Sequence, residues 1–180
     1  MTYEEQLPGF MHPLYDYDTM LVIPSSVIHN NITYSVSSID EKAFLYEKGI
    51  RRIELPSSVI TIQSNAFVRS SLQEIVMPNV QTIGYNSFGS TQLTHINLPS
   101  TISSLGENAF SHSLLEEVEV PSGVSMIPNG CFYGCPLRSI TLHEGLQAIG
   151  DNAFTCYLMD SLTLPSTLQY NRKDWGLLGG

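Results

Sequence analysis

The sequence repeats itself about every 22 residues. Six phenylalanines mark the successive copies with separations of 23, 21, 22, 22 and 22 positions: Phe44, Phe67, Phe88, Phe110, Phe132 and Phe154. A proline recurs in the same register, with His143 in its place once: Pro56, Pro78, Pro99, Pro121 and Pro165. A fixed period of this length indicates a solenoid, in which each copy contacts only its neighbours.

Each copy contains the pattern of one short strand. The segments that end at the proline position read IRRIELP, LQEIVMP, LTHINLP, LEEVEVP, LRSITLH and MDSLTLP. Apolar and variable residues alternate within them, which predicts a strand with one buried face that stops at the proline. Because copies this short leave no room for a long helix between parallel strands, we predict an α/β solenoid with short helical or irregular return segments.

A second column of residues precedes the phenylalanines by two positions. It contains Asn65, Asn86, Asn108 and Asn152, with Gly130 and Lys42 in the other two copies. Since asparagine and glycine both tolerate positive φ, the column predicts either a left-handed residue or an asparagine side chain bonded to the next copy. Lys42 departs from the pattern.

Composition and charge exclude several classes of function. The 180 residues are 42% hydrophobic and 14% charged, which favours one folded domain. The net charge of −9 disfavours nucleic acid and anionic membranes as partners. No apolar run reaches the roughly 18 residues of a membrane span, so we expect no membrane insertion. The start, MTYEEQLPGF, lacks the pattern of a signal peptide, which leaves an intracellular protein and a protein whose signal has been removed as alternatives.

No catalytic or metal-binding motif is present in the sequence. The five histidines fall at five different register positions, and GxSxG, HExxH, GxGxxG and P-loop patterns do not occur. We therefore expect no enzymatic activity, no cofactor and no metal site. Cys131 occupies the alanine column, which predicts a small core residue. Cys156 lies one copy after Cys135, and a disulfide between them is the less favoured alternative to separate thiols.

The pattern L-x-x-I-x-L-P-x-x-V-x-x-I-G-x-N-A-F resembles the BspA-like leucine-rich repeat family. Five copies fit from Ile50 to about Phe154, and a partial copy starts at Met159. The opening LVIPSSVIHNNITYSVSSIDEKAF is similar to that family's first unit, with an inserted hairpin that turns at Asn30 and Asn31. The chain departs from the pattern at Pro128, at His143 and at the shortened PNVQTI of the second copy, where we expect altered loop geometry.

The resemblance implies a right-handed, curved coil with a parallel β-sheet on its concave side. We accordingly divide the chain into an N-terminal cap (1–17), leucine-rich repeats (18–165) and a C-terminal cap or tail (166–180). The resemblance also implies that Cys135 is a buried cysteine of the family pattern.

The resemblance further implies a protein outside the cell or on its surface with adhesive or protein-binding roles, including contact with host extracellular matrix proteins. We expect a non-enzymatic recognition module that binds a protein or glycan through the concave sheet or adjoining turns. The variable strand positions supply the candidate ligand contacts: Arg52, Glu54, Glu74, His95, Asn97, Glu117 and Glu119. The alternatives are a sheet face without a ligand, a structural or self-assembling spacer, and an intracellular effector or regulator. The ligand and the oligomeric state stay open.

Overall fold

The computed structural model describes residues 20–155, 158–159 and 161–169. Within these ranges the chain forms strands and turns but no helix. The strands, in chain order, are β1 (Met20–Val22), β2 (Ser26–His29), β3 (Ile32–Ser35), β4 (Ser38–Ile39), β5 (Arg52–Glu54), β6 (Thr61–Ile62), β7 (Glu74–Val76), β8 (Thr82–Ile83), β9 (Ser104–Leu105), β10 (Glu117–Glu119), β11 (Met126–Ile127), β12 (Ser139–Thr141) and β13 (Ala148–Ile149). The predicted α/β class with helical returns is therefore not confirmed, and the irregular alternative describes the return segments.

Parallel strands stack into two sheets, with one strand of each sheet in most copies. The front sheet contains β1, β5 and β7, followed by the separate pair β10 and β12. The side sheet contains β4, β6, β8 and β9, followed by the separate pair β11 and β13. Within each sheet, paired strands are equivalents from successive copies, as Arg52 with Glu74 and Glu117 with Ser139. The predicted parallel solenoid is confirmed, whereas its right-handed coil and the concave position of the front sheet stay predictions.

The third side of each copy, which we call the turn face, is built around the repeated phenylalanine. The five rings from Phe67 to Phe154 are fully buried. Successive rings from Phe44 onward stack with centroids 5.0 to 6.0 Å apart. The N–H of each phenylalanine from Phe44 to Phe132 also donates to the next copy, as from Phe44 to the carbonyl of Ala66 at 2.7 Å and from Phe110 to that of Cys131 at 2.8 Å. Ring stacking and backbone bonds thus join the copies along one continuous column.

The asparagine column has the predicted left-handed backbone. Its six residues, including Lys42 and Gly130, have φ between 52° and 61°. The N–H groups of the first five donate to the next copy, as from Asn65 to the carbonyl of Tyr85 at 2.9 Å. The departure at Lys42 therefore changes the residue type but not the conformation, because the bond between copies imposes it.

A second left-handed column lies four residues after the first and was not predicted. It consists of Tyr46, Arg69, Ser90, His112 and Gly134, with φ between 54° and 71°. Non-glycine residues rarely adopt this conformation. Each of these residues donates its N–H to the next copy, as from His112 to the carbonyl of Tyr133 at 2.7 Å. The ladder of the turn face therefore fixes the conformation whatever the side chain.

The hydrophobic core forms one cluster that runs through all the described copies. Cys131 is fully buried in it, as its place in the alanine column predicted. Residue 156 of the alternative Cys135–Cys156 disulfide lies outside the described residues, as do residues 1–17 of the predicted N-terminal cap and residues 170–180 of the predicted C-terminal cap or tail. The hairpin of β2 and β3 is antiparallel and turns at Asn30 and Asn31, as predicted. None of the described residues belongs to a helix long and apolar enough to cross a membrane.

Candidate binding groove on the front sheet

The front sheet is interrupted at the third regular copy, the one that carries Phe110. Residues 95–98 occupy the position of a strand between β7 and β10, but no backbone hydrogen bond joins them to either strand. The ladder resumes on both sides, where the N–H of Leu55 donates to Val76 at 2.8 Å and that of Val120 donates to Thr141 at 3.0 Å. The backbone groups that face each other across the third copy therefore lack their usual partners.

The same break exposes part of the core. The inward residues of the neighbouring strands, Ile75 and Val118, are each 5% exposed. Ile96 holds the equivalent position in the third copy but is only half-buried, and Leu98 is half-buried where Met77 and Val120 are buried. An apolar floor thus becomes accessible where the sheet opens.

The turn face stays intact at this level and holds the copies together. The ring of Phe110 lies 5.3 Å from that of Phe88 and 5.3 Å from that of Phe132. The N–H of Phe88 also donates to the carbonyl of Ala109 at 2.8 Å. The stack is therefore continuous at the turn face and open at the front sheet.

Two of the expected changes in loop geometry accompany the interrupted sheets. The shortened PNVQTI segment begins two residues after the end of β7, next to the break in the front sheet. The side sheet breaks between β9 and β11, beside Pro128. In the next copy the N–H of Gly150 donates to Ile127 at 2.7 Å. Proline has no N–H for the equivalent bond, so the ladder is weakened there.

A depression of about 730 Å³ covers the break, and we call it the front groove. Its walls come from β7, β10 and β12, and its floor comes from the third copy. Its lining residues are Glu74, Ile75, Val76, Met77, Pro78, His95, Ile96, Asn97, Leu98, Pro99, Glu117, Val118, Glu119, Ser139 and Thr141.

Carboxylates dominate the charge of the front groove. Glu74 pairs with Arg52 at 3.3 Å, and Glu119 bonds to the Nε2 atom of His143 at 2.9 Å. The side chain of Glu117 makes no ion pair or hydrogen bond with another described residue. Exposed pairs of this kind contribute only about 0–1 kcal/mol to stability, so a ligand can exchange with them at little cost.

Five of the seven predicted contact residues come together in the front groove: Glu74, His95, Asn97, Glu117 and Glu119. The other two, Arg52 and Glu54, are exposed on β5 outside it, although Arg52 reaches Glu74. Sequence analysis missed the accessible Ile96 and Leu98, since their spacing is that of the buried residues in other copies. It also missed His143 as a partner of Glu119. The available signal was that His143 stands where the other copies have proline.

The described residues gather neither a set of metal ligands nor a reactive thiol in the front groove. No group of three or more His, Cys, Asp or Glu residues there could hold a metal ion. Burial, together with the neighbouring Cys135, raises the pKa of the Cys131 thiol well above its usual value. Cys131 is therefore held as a neutral thiol, whereas reactive cysteines are thiolates. The groove itself offers carboxylates, amides, backbone groups and an apolar floor, which suit binding.

A comparison with protein families agrees with this architecture. The family model of the BspA type leucine rich repeat region matches in six copies, over residues 24–113 and 81–174. The chain belongs to the BspA-type leucine-rich repeat family. No curated protein shows significant similarity to this BspA-type chain.

Solved structures of bacterial repeat proteins resemble the BspA-type chain. A leucine-rich repeat protein from Bacteroides ovatus is 28% identical with a TM-score of 0.68, over 86% of this chain and 48% of its own. The T. pallidum leucine rich repeat protein is 25% identical with a TM-score of 0.60, over 75% of this chain and 74% of its own. The pneumococcal vaccine antigen PcpA, at 22% identity and a TM-score of 0.64 over 76% of this chain and 37% of its own, shares the fold. The chain spans less than half of the Bacteroides protein and of PcpA.

Proposed function

We propose that this BspA-type chain is a non-enzymatic recognition module, and that its front groove binds an extended, positively charged segment of a protein ligand. One observation carries the proposal. The front sheet opens at residues 95–98, where carboxylates of β7 and β10 border the half-buried Ile96 and Leu98. Backbone groups, charge and apolar surface are therefore accessible in one place.

The open ladder favours a ligand that has a peptide backbone. The N–H of Leu55 is satisfied by Val76, but the equivalent N–H of Met77 makes no bond to the third copy. Extended peptides bind sheet proteins by supplying such missing main-chain bonds, while alternate side chains enter neighbouring pockets. A glycan could bond to the same groups, but it would not satisfy the charge of the groove.

The charge of the groove favours lysine and arginine on the ligand. Glu74, Glu117 and Glu119 lie on its walls, and the whole chain has a net charge of −9. This field attracts cationic partners and raises their association rate, an effect that salt weakens. The aliphatic part of a lysine or arginine side chain can also cover Ile96 and Leu98 while its charged end reaches a carboxylate.

The proposal includes display outside the cell or on its surface, which the family resemblance supports. Protease treatment of intact cells tests this directly. A surface protein is digested while a cytoplasmic marker stays intact, and protection of the chain until lysis would contradict surface display.

The binding experiment uses a series of eight-residue peptides in which threonine alternates with either lysine or glutamine. The number of lysines increases along the series, and the most basic peptide contains no glutamine. We expect the affinity for the chain, measured by calorimetry, to rise with each lysine and to fall with salt. Neutral oligosaccharides form a separate arm. Binding of the oligosaccharides alone, equal affinity for all peptides, or no binding of any peptide would contradict the proposal.

Matched variants locate the site. Replacement of Glu117 and Glu119 by glutamine removes charge while keeping shape, and we expect it to weaken binding of the most basic peptide about tenfold or more. The control replaces Glu41 and Glu107, exposed carboxylates outside the groove, by glutamine and makes the same change in net charge. Equal losses in both double variants would indicate an effect of overall charge and exclude the groove.

A further inference from the structure

The hairpin of β2 and β3 projects from the first copy with its apolar residues uncovered. Every residue of both strands is exposed, and neither strand contacts another strand of the described chain. Ile28 is 75% exposed and Ile32 is 55% exposed, while Val27 and Tyr34 are each 47% exposed. A lone hairpin of this kind is only marginally stable in water, and it gains stability when another strand pairs with it.

The hairpin lies in an uncharged part of the described chain. Residues 20–39 include no Asp, Glu, Lys or Arg, whereas the whole chain has a net charge of −9. Natural edge strands are usually protected from pairing by charged residues, by proline or by bulges. Residues 26–35 include no Asp, Glu, Lys, Arg or proline. Nothing in their composition opposes the pairing of another strand.

The register of the hairpin determines which backbone groups of β3 point outward. The two-residue turn makes His29 and Ile32 a bonded pair, and Val27 and Tyr34 are the next. A bond from the N–H of Val36 to Ser25, at 2.9 Å, continues this alternation. The N–H and C=O groups of Thr33 and Ser35 therefore point away from β2, along an exposed edge.

We propose that two copies of the chain associate through this outer edge of β3 as an antiparallel ladder, with Tyr34 opposite Tyr34 of the second copy. In this register Thr33 faces Ser35 of the second copy and Ser35 faces its Thr33. Both are bonded pairs, so every outward backbone group of β3 is satisfied. Ile32 faces Val36 of the second copy, on the same side as the tyrosines, which forms β-branched and aromatic cross-strand pairs.

The choice of a second copy rests on charge and symmetry. Two copies of a chain with net charge −9 repel each other overall, but the hairpin places uncharged surface against uncharged surface. An antiparallel pair of identical strands has a two-fold axis, which closes the assembly at a dimer. The front groove lies on other strands, so this inference is independent of the proposed ligand site.

Oxidative cross-linking tests the register. The residues at the two-fold axis form a non-bonded pair with Cα atoms about 4.5 Å apart, which is within the range of a disulfide. We expect Tyr34→Cys to form a disulfide-linked dimer at least about tenfold faster than Ile28→Cys, which places a cysteine at the most exposed residue of β2. Wild-type protein reports any cross-linking by the native cysteines, and mass spectrometry maps the bond. Equal rates for the two variants would overturn the proposal.

A proline pair tests the ladder without an added thiol. Thr33→Pro removes an outward N–H of β3, while Ile28→Pro removes an outward N–H directly across on β2. Both spare the bonds within the hairpin. By light scattering up to about 1 mM, we expect the wild type and Ile28→Pro to dimerise and Thr33→Pro to dimerise at least about tenfold more weakly. A wild type that stays monomeric, or equal dimerisation of the two variants, would overturn the proposal.

Discussion

Phe110 stacks on Phe132 with ring centroids 5.3 Å apart and an interplanar angle of 5°, at the level where both sheets are interrupted. The backbone bond from Phe110 to Cys131, at 2.8 Å, reinforces the contact. The turn face therefore holds the third and fourth copies together where the strand ladders do not.

Truncation of the Phe110 ring should strongly destabilise the chain. Phe110→Ala leaves a cavity in the fully buried column, and we expect it to lower the free energy of unfolding by about 3–5 kcal/mol. Urea denaturation followed by circular dichroism measures the change. Tyr133→Ala, which truncates an exposed ring in the same turn, should cost less than about 1 kcal/mol. Similar losses in the two variants would show that the column does not hold the stack together.

The close backbone contact between copies predicts that an added side-chain atom at Gly106 destabilises the chain. A Cβ atom at Gly106 would clash with the backbone of Gly84 and Tyr85 in the copy below. Gly106→Ala should therefore destabilise the chain by about 1–3 kcal/mol, as overpacking does. Gly49→Ala is the control, because its Cβ would meet only the flexible end of Glu47. Thermal unfolding of the two variants checks the difference, and an unchanged midpoint for Gly106→Ala would contradict the close stacking.

Much of the fold could be predicted where a position favours particular residue types. Phenylalanine at a fixed period identified the buried column, and asparagine or glycine identified the first left-handed position. Asn30 and Asn31 identified the hairpin turn for the same reason, since both have positive φ.

Other features of the fold could not be predicted, because no particular residue type accompanies them. The second left-handed column contains residues as different as Arg69, Ser90 and His112, because hydrogen bonds between copies impose its backbone. The break in the front sheet was equally hidden. LTHINLP keeps the apolar spacing of its neighbours, so the strand pattern is present where no ladder forms. Five contact residues of the groove were predicted, but the opening that brings Ile96 to the surface was not.

Acid should loosen the last described copy. The carboxylate of Glu144 accepts hydrogen bonds from the backbone and side chain of Ser166 and from Thr167, and these bonds lower its pKa. Because the native pKa lies below the unfolded one, the stabilisation is present at neutral pH and is lost as the pH falls through the native pKa. NMR titration of the Glu144 carboxyl, with Glu144→Gln as the control for amide exchange at residues 166–169, measures both effects. A titration at the usual pKa of a glutamate would contradict the prediction.

The most direct measurement is amide hydrogen exchange of the chain with and without the most basic threonine–lysine peptide. In the free chain we predict that the amides of residues 95–98 exchange faster than those of β5, because the ladder is open there. The peptide should then slow exchange at residues 95–98 and along the facing edges of β7 and β10. Slow exchange at residues 95–98 in the free chain, or protection by the peptide that falls elsewhere, would contradict the front groove as the binding site.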